Sequence, residues 1–127
     1  MKPRMLVFGV AALVVSVVPV TAHHSFAAEF DATKPVTLRG TLTWMDWVNP
    51  HGWIYIDVKA ADGKVVNWAI EAGDPNALLR HGLRKTGFPV GAELIVEGYQ
   101  AKNGTPTANG ATVKFTDGRI RPFPGDH

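Results

Sequence analysis

From Val36 onward the chain runs in short stretches that alternate apolar and polar residues, and turn residues part the stretches. No other feature narrows the fold as much. Successive side chains of a β-strand leave on opposite faces, so a period of two means a strand with one covered side. In the first stretch Val36, Leu38, Leu42 and Trp44 alternate with Thr37, Arg39, Thr41 and Thr43. Gly40 occupies the apolar phase, where a glycine marks a bulge or a sharp bend. Asn49-Pro50-His51-Gly52 ends the stretch. Proline has no N–H to give, asparagine tolerates turn geometry and glycine permits positive φ.

A second strand is expected over 53–59, with Ile54, Ile56 and Val58 inward and Trp53, Tyr55 and Asp57 outward. Asp62-Gly63 is a hairpin turn. The third strand, over 64–71, turns Val66, Trp68 and Ile70 inward and leaves Glu71 as an ordinary outward carboxylate beside Asp57. Asp74-Pro75 then opens a short helix, Asp as N-cap and Pro at the first helical position. Ala77, Leu78 and Leu79 give it an apolar side, and Gly82 closes it. Val90-Gly91 and Asn103-Gly104 are turns. Between and after them come strands over 93–100, with Leu94 and Val96 inside, and over 111–116, with Val113 and Phe115 inside.

The order β-β-β-α-β-β predicts an all-β domain of small α content, a five-stranded OB-like barrel over 36–118. Closure would hide the edges that five antiparallel strands otherwise expose. An open sheet or small sandwich is the alternative. Residues 23–35 lack periodicity and read as an irregular N-terminal leader segment. The tail, 119–127, carries Pro122 and Pro124 and reads as loose or lightly docked.

Residues 1–22 have a different character. Lys2 and Arg4 precede an apolar run over 5–18, Pro19 breaks it, and Val20-Thr21-Ala22 offers small residues to a signal peptidase. That is the layout of a secretory signal peptide. The run falls short of the roughly 20 residues that span a bilayer. The expectation is a periplasmic or secreted protein with no stable membrane anchor once cleaved, starting at His23.

Charge then limits the partners. Of 13 basic side chains, Lys2 and Arg4 leave with the signal, so 11 remain against 11 acidic ones. A nucleic-acid binder needs a basic footprint, which a neutral chain lacks. The chain has no cysteine, which excludes disulfides, thiolate metal sites and thiol nucleophiles.

Several local signatures occur together: His23-His24-Ser25-Phe26 after the signal, Gly40 with Trp44, and Asn49-Pro50-His51 beside an aromatic strand. Asp62-Gly63, Trp68, Pro75-Asn76-Ala77-Leu78-Leu79, and Gly91 followed by Val96-Glu97-Gly98-Tyr99 complete the set. In this combination the chain resembles a family of small exported bacterial proteins known only as a domain of unknown function. The resemblance implies a secreted or periplasmic β-rich domain and carries over no activity.

The chemistry must therefore come from the residues. A processed chain that begins with His23 offers its free amine and its own imidazole Nδ1 as a chelate. A second imidazole makes three nitrogens in a near-planar set, which suits Cu(II). Exported copper proteins with a histidine brace use the same device. His51, at the proline turn, is the expected third nitrogen and His24 the alternative. Zinc or nickel are further options for such a set. Asp31, Glu29 or Asp46 are candidates to fix an imidazole from behind. The plain alternatives are a solvated terminus for His23 and His24, and a turn role for His51 between Trp47 and Trp53. His81 suits the end of the short helix, where a cation meets the dipole.

Trp44 and Trp68 share the phase of core residues and are expected inside. Trp53 and Tyr55 face the other way and, with Trp47 near the first loop, form a candidate face for a small ligand or another exported protein. Phe26 and Phe30 of the leader are alternative cover for it. No nucleophile motif, phosphate loop or dinucleotide fingerprint is present. The chain reads as a binding protein rather than an enzyme.

Overall fold

The computed structural model describes residues 25–124. The expected signal peptide, His23, His24 and His127 lie outside the described residues. A single helical turn, α1 (Phe26–Glu29), leads into the long β1 (Phe30–Asp46). Then follow β2 (Gly52–Lys59), β3 (Val65–Gly73) and α2 (Pro75–Arg80). A 3₁₀ turn, Lys85–Gly87, precedes β4 (Glu93–Ala101), β5 (Thr107–Phe115) and β6 (Ile120–Pro122). Among the described residues no helix is long and apolar enough to cross a membrane.

The fold is all-β with little helix, and its six strands form one sheet in the order β3-β2-β1-β4-β5-β6 with antiparallel neighbours. One further pairing joins β5 back to β3, in parallel, through Ala69–Thr107, Ile70–Ala108 and Glu71–Asn109. The length of β1 makes this possible. Its first part pairs with β4 and its last part with β2, and Gly40 pairs with both, opposite Leu94 and Val58. A Cβ on Gly40 would stand 2.5 Å from the backbone oxygen of Asp57, so only glycine fits where the strand passes between two partners.

The bulge anticipated at Gly40 falls three residues later. The β1–β2 register slips between Leu42 and Trp44. Thr43 and Trp44 together oppose Tyr55, as two residues against one do in a bulge. The slip reverses the phase. Met45, not Trp44, is buried opposite Ile54, and Trp44 is 64% exposed. The expectation that Trp44 lies in the core is corrected. Trp68, expected there too, does pack against the core.

Leu42, Ile54, Ile56, Ile70, Leu94, Val96 and Val113 are fully covered, as the alternation requires. Each such side chain contributes about 1.5–3 kcal/mol by leaving water. Leu78 of α2, Leu83 and Phe88 add to the same core from the connection between β3 and β4. The helix starts where its signals stand: Asp74 Oδ1 accepts a hydrogen bond from Ala77 N at 3.0 Å, and Pro75 occupies the first turn.

Both ends of the described chain pack against the sheet. The leader is not irregular from Phe26 on, because α1 forms and Phe30 is buried opposite Ala101. Of the two alternatives for the tail, its described residues take the docked one. Residues 120–122 pair with β5, and Phe123 is buried, its ring lying where a Cβ on Gly110 would be. Strand five starts at Thr107 rather than 111, since Ala108, Asn109 and Gly110 are small enough to fit between β4 and β3.

Candidate functional site

His51 closes the five-residue connection between β1 and β2, one residue before β2 begins, after a cis Asn49–Pro50 peptide bond. Its Nδ1 lies 2.9 Å from Oε1 of Glu71, on the adjacent strand β3. The Glu71 side chain is 9% exposed and that of His51 38%. One ring nitrogen therefore points at a buried carboxylate. The other, Nε2, points the opposite way because the two nitrogens sit on opposite sides of the ring. A carboxylate behind Nδ1 fixes the ring's orientation and its tautomer and makes Nε2 a better electron donor.

Glu71 is the residue that sequence reasoning missed. It was expected as an ordinary outward carboxylate, and parity does put it on the outer side of β3, between inward Ile70 and Ala72. It is nonetheless buried, at 8%. The covering comes from outside the strand: the His51 turn folds over it, and β5 closes alongside through the Glu71–Asn109 pairing. A signal did exist. Glu71 is the lone charge in Trp68-Ala69-Ile70-Glu71-Ala72-Gly73, and a carboxylate isolated in an apolar run tends to be buried with a partner. The partner behind His51 is thus Glu71, whereas Asp31 spends its Oδ1 on the backbone and hydroxyl of Thr33.

The register extends this pair into a row. Asp46 of β1 faces Trp53 of β2, Trp53 faces Glu71, Glu71 faces Asn109 of β5, and Asn109 faces Tyr99 of β4. Asn109 is buried, and its Oδ1 has no hydrogen-bond partner among the described residues. At the far end the Phe26 ring meets Tyr99 edge-on, with centroids 5.6 Å apart. The first turn of the described chain thus docks at one end of the row whose other members include Glu71. Among the described residues no three His, Cys, Asp or Glu side chains converge as a metal site.

The aromatic candidates divide. Trp53 and Tyr55 are half-buried on the face away from Ile54 and Ile56, as the alternation implies. Trp47 is not with them; it packs on Phe88, ring centroids 6.3 Å apart, at the margin of the core. Trp44 takes its place beside Tyr55. Phe26 and Phe30 stack on each other, and Phe26 meets Tyr99 edge-on, rather than covering that face. His81 is the exposed C-cap of α2.

No curated protein and no solved structure matches the chain. Residues 11–111 match the profile of DUF6152, a family of unknown function. That span takes in α1, the His51 turn, Glu71 and Asn109, and the chain belongs to this family of unknown function.

Proposed function

We propose that the chain is an exported small binding protein that takes Cu(II) through the amine and imidazole of a mature N-terminal His23, with His51 Nε2 as the third nitrogen and His24 as its alternative. The supporting observation is the His51–Glu71 contact. It commits Nδ1 inward and leaves Nε2 as the donor, the arrangement that metal-ligating histidines adopt. Chain length is compatible with the reading. Phe26 lies three positions after His23, about 10 Å of extended chain. Tyr99, where Phe26 docks, stands two strand spacings from Glu71, also about 10 Å. Binding needs no further cofactor, and the reading is of a carrier or buffer rather than a catalyst.

The sheet that carries the site fits an OB-like barrel in this reading. Its support is the return pairing of β5 to β3, which joins β3, β2, β1, β4 and β5 into a ring, with α2 between β3 and β4.

The test is a copper titration of the processed protein and of a version with one extra residue ahead of His23. Tight Cu(II) binding by the first and its loss in the second is expected. Equal binding by both sinks the proposal.

A second reading has its own observation. The bulge at Thr43 turns Trp44 outward beside Tyr55, so the outer side of β1 and β2 carries an aromatic face. A non-metal ligand would bind there without copper.

A further inference from the structure

We propose that the outer face of β1, β2 and β3 is a binding site for a neutral sugar chain, stacked on Trp44 and Tyr55 and hydrogen-bonded along Asp57 and Asn67. The proposal rests on the second reading and names its ligand class.

The face is laid out by register. Trp44, Tyr55 and Ala69 form one row across the three strands, and Asp57 and Asn67 the next. Ala69 is small, so nothing bulky rises beside Tyr55 on the β3 side. Trp44, at 64% exposure, is a large apolar surface that the fold spends a bulge to present to solvent. Alone such a ring would be ordinary; beside Tyr55 it makes an aromatic patch.

The neighbouring polar groups are held rigid. Asn67 Nδ2 donates to Asp57 Oδ1 at 2.9 Å and to Thr43 Oγ1 at 3.1 Å. Thr43 Oγ1 in turn donates to the Tyr55 carbonyl at 3.2 Å. The carboxylate forces the orientation of the amide, because its oxygen would be repelled there. Both amide hydrogens are consumed. What remains toward solvent is a pair of acceptors, Asn67 Oδ1 and the second oxygen of Asp57, which receive no hydrogen bond among the described residues. A ligand for this rail must bring donors.

Charge and shape then choose among donor-bearing ligands. Asp46 and Asp57 lie on the face, and the cations Lys59 and Arg39 stand only at its far end, Arg39 paired with Glu93. Polyanions, including nucleic acids and phosphorylated surfaces, are repelled. A cation over one exposed ring gains only a weak attraction, and Trp44 and Tyr55 are neighbours on one sheet surface rather than the walls of a cage. Two neighbouring aromatic residues with a lateral row of fixed acceptors match a pyranose chain. Its C–H faces cover the rings and its hydroxyls donate to the rail.

The test is titration of the protein with cellohexaose, N-acetylated chitohexaose, polygalacturonate and choline, read by tryptophan fluorescence and calorimetry. Saturable binding of a neutral hexasaccharide is expected, weakened about tenfold or more in Trp44→Ala and in Asn67→Ala. Unchanged circular dichroism in both variants belongs to the same expectation. Binding of choline or polygalacturonate alone, still dependent on Trp44, overturns the ligand class and keeps the aromatic face as a site. Sugar binding indifferent to Trp44→Ala, or no binding by any of the four, overturns the site itself.

Discussion

His51 Nδ1 and Glu71 Oε1 are 2.9 Å apart, one on a turn with its ring partly in solvent and the other buried in a strand. The two residues are 20 apart in sequence and meet because β2 and β3 are antiparallel neighbours whose Gly52 and Gly73 pair at the same end. The carboxylate is a positioning group: it holds the imidazole, and the imidazole presents Nε2.

Glu71→Gln keeps the shape of the side chain and removes its charge. The expected result is Cu(II) affinity lower by about 10–100-fold, with the fold retained. Competition titration measures the affinity. Nitrogen hyperfine structure in the paramagnetic resonance spectrum shows whether an imidazole has left the copper, which a purely structural role for Glu71 would not produce. Unaltered affinity and spectrum would remove Glu71 from the site.

The bulge makes Trp44 and Met45 a controlled pair. Met45→Ala deletes a buried side chain and is expected to cost about 2–5 kcal/mol. Trp44→Ala removes an exposed one and is expected to stay within about 0.5 kcal/mol. Urea denaturation of both variants measures the difference. A larger loss at Trp44 than at Met45 would mean that the alternation runs through Thr43 without a slip.

At Gly40 an added methyl meets a backbone oxygen that has no room to retreat between two paired strands. Gly40→Ala is expected to destabilise by about 1–3 kcal/mol. Gly87→Ala is the control, since a Cβ there meets nothing within 4 Å; its expected effect is about 0.5 kcal/mol or less. Thermal midpoints that fall equally in the two variants would contradict the close approach at Gly40.

Two aspartates with local hydrogen bonds predict a pH signature. The Asp31 carboxyl is held below its ordinary range, first by the Thr33 hydroxyl and then by the Thr33 backbone N–H. That of Asp117 is held low first by the Arg119 backbone N–H, then by its side chain. In both, the folded state favours the ionised form. Whatever stability they add is complete above the ordinary carboxylate range and is lost as pH falls through the depressed folded values. Carbon-detected NMR titration should show both carboxyls titrating below an unstructured aspartate; midpoints at or above it would refute the two local contacts.

Much of the fold was legible in local sequence. Ile54 and Ile56, Leu94 and Val96, and Val113 and Phe115 announce their strands and inward faces. Asp62-Gly63 announces its hairpin, and Asp74-Pro75 the start of α2. Of the site, the aromatic pair Trp53 and Tyr55 and the turn position of His51 could be read, and the latter's partner could not. The tail and Asn109 were also hidden, because Pro122 and Asn109-Gly110 look like loop residues until another strand lies beside them.

What the sequence by itself determined is parity, the side each residue takes relative to its neighbours within one strand, since that follows from backbone geometry alone. Only the tertiary structure decided where parity slips and which outward residues are covered. Trp44 turned out because an extra residue, Thr43, was absorbed against Tyr55. Glu71 was buried because a turn and a distant strand closed over it. Both outcomes depend on chain segments brought together in space; the isolation of Glu71 in an apolar run hints at burial but does not say which segments cover it.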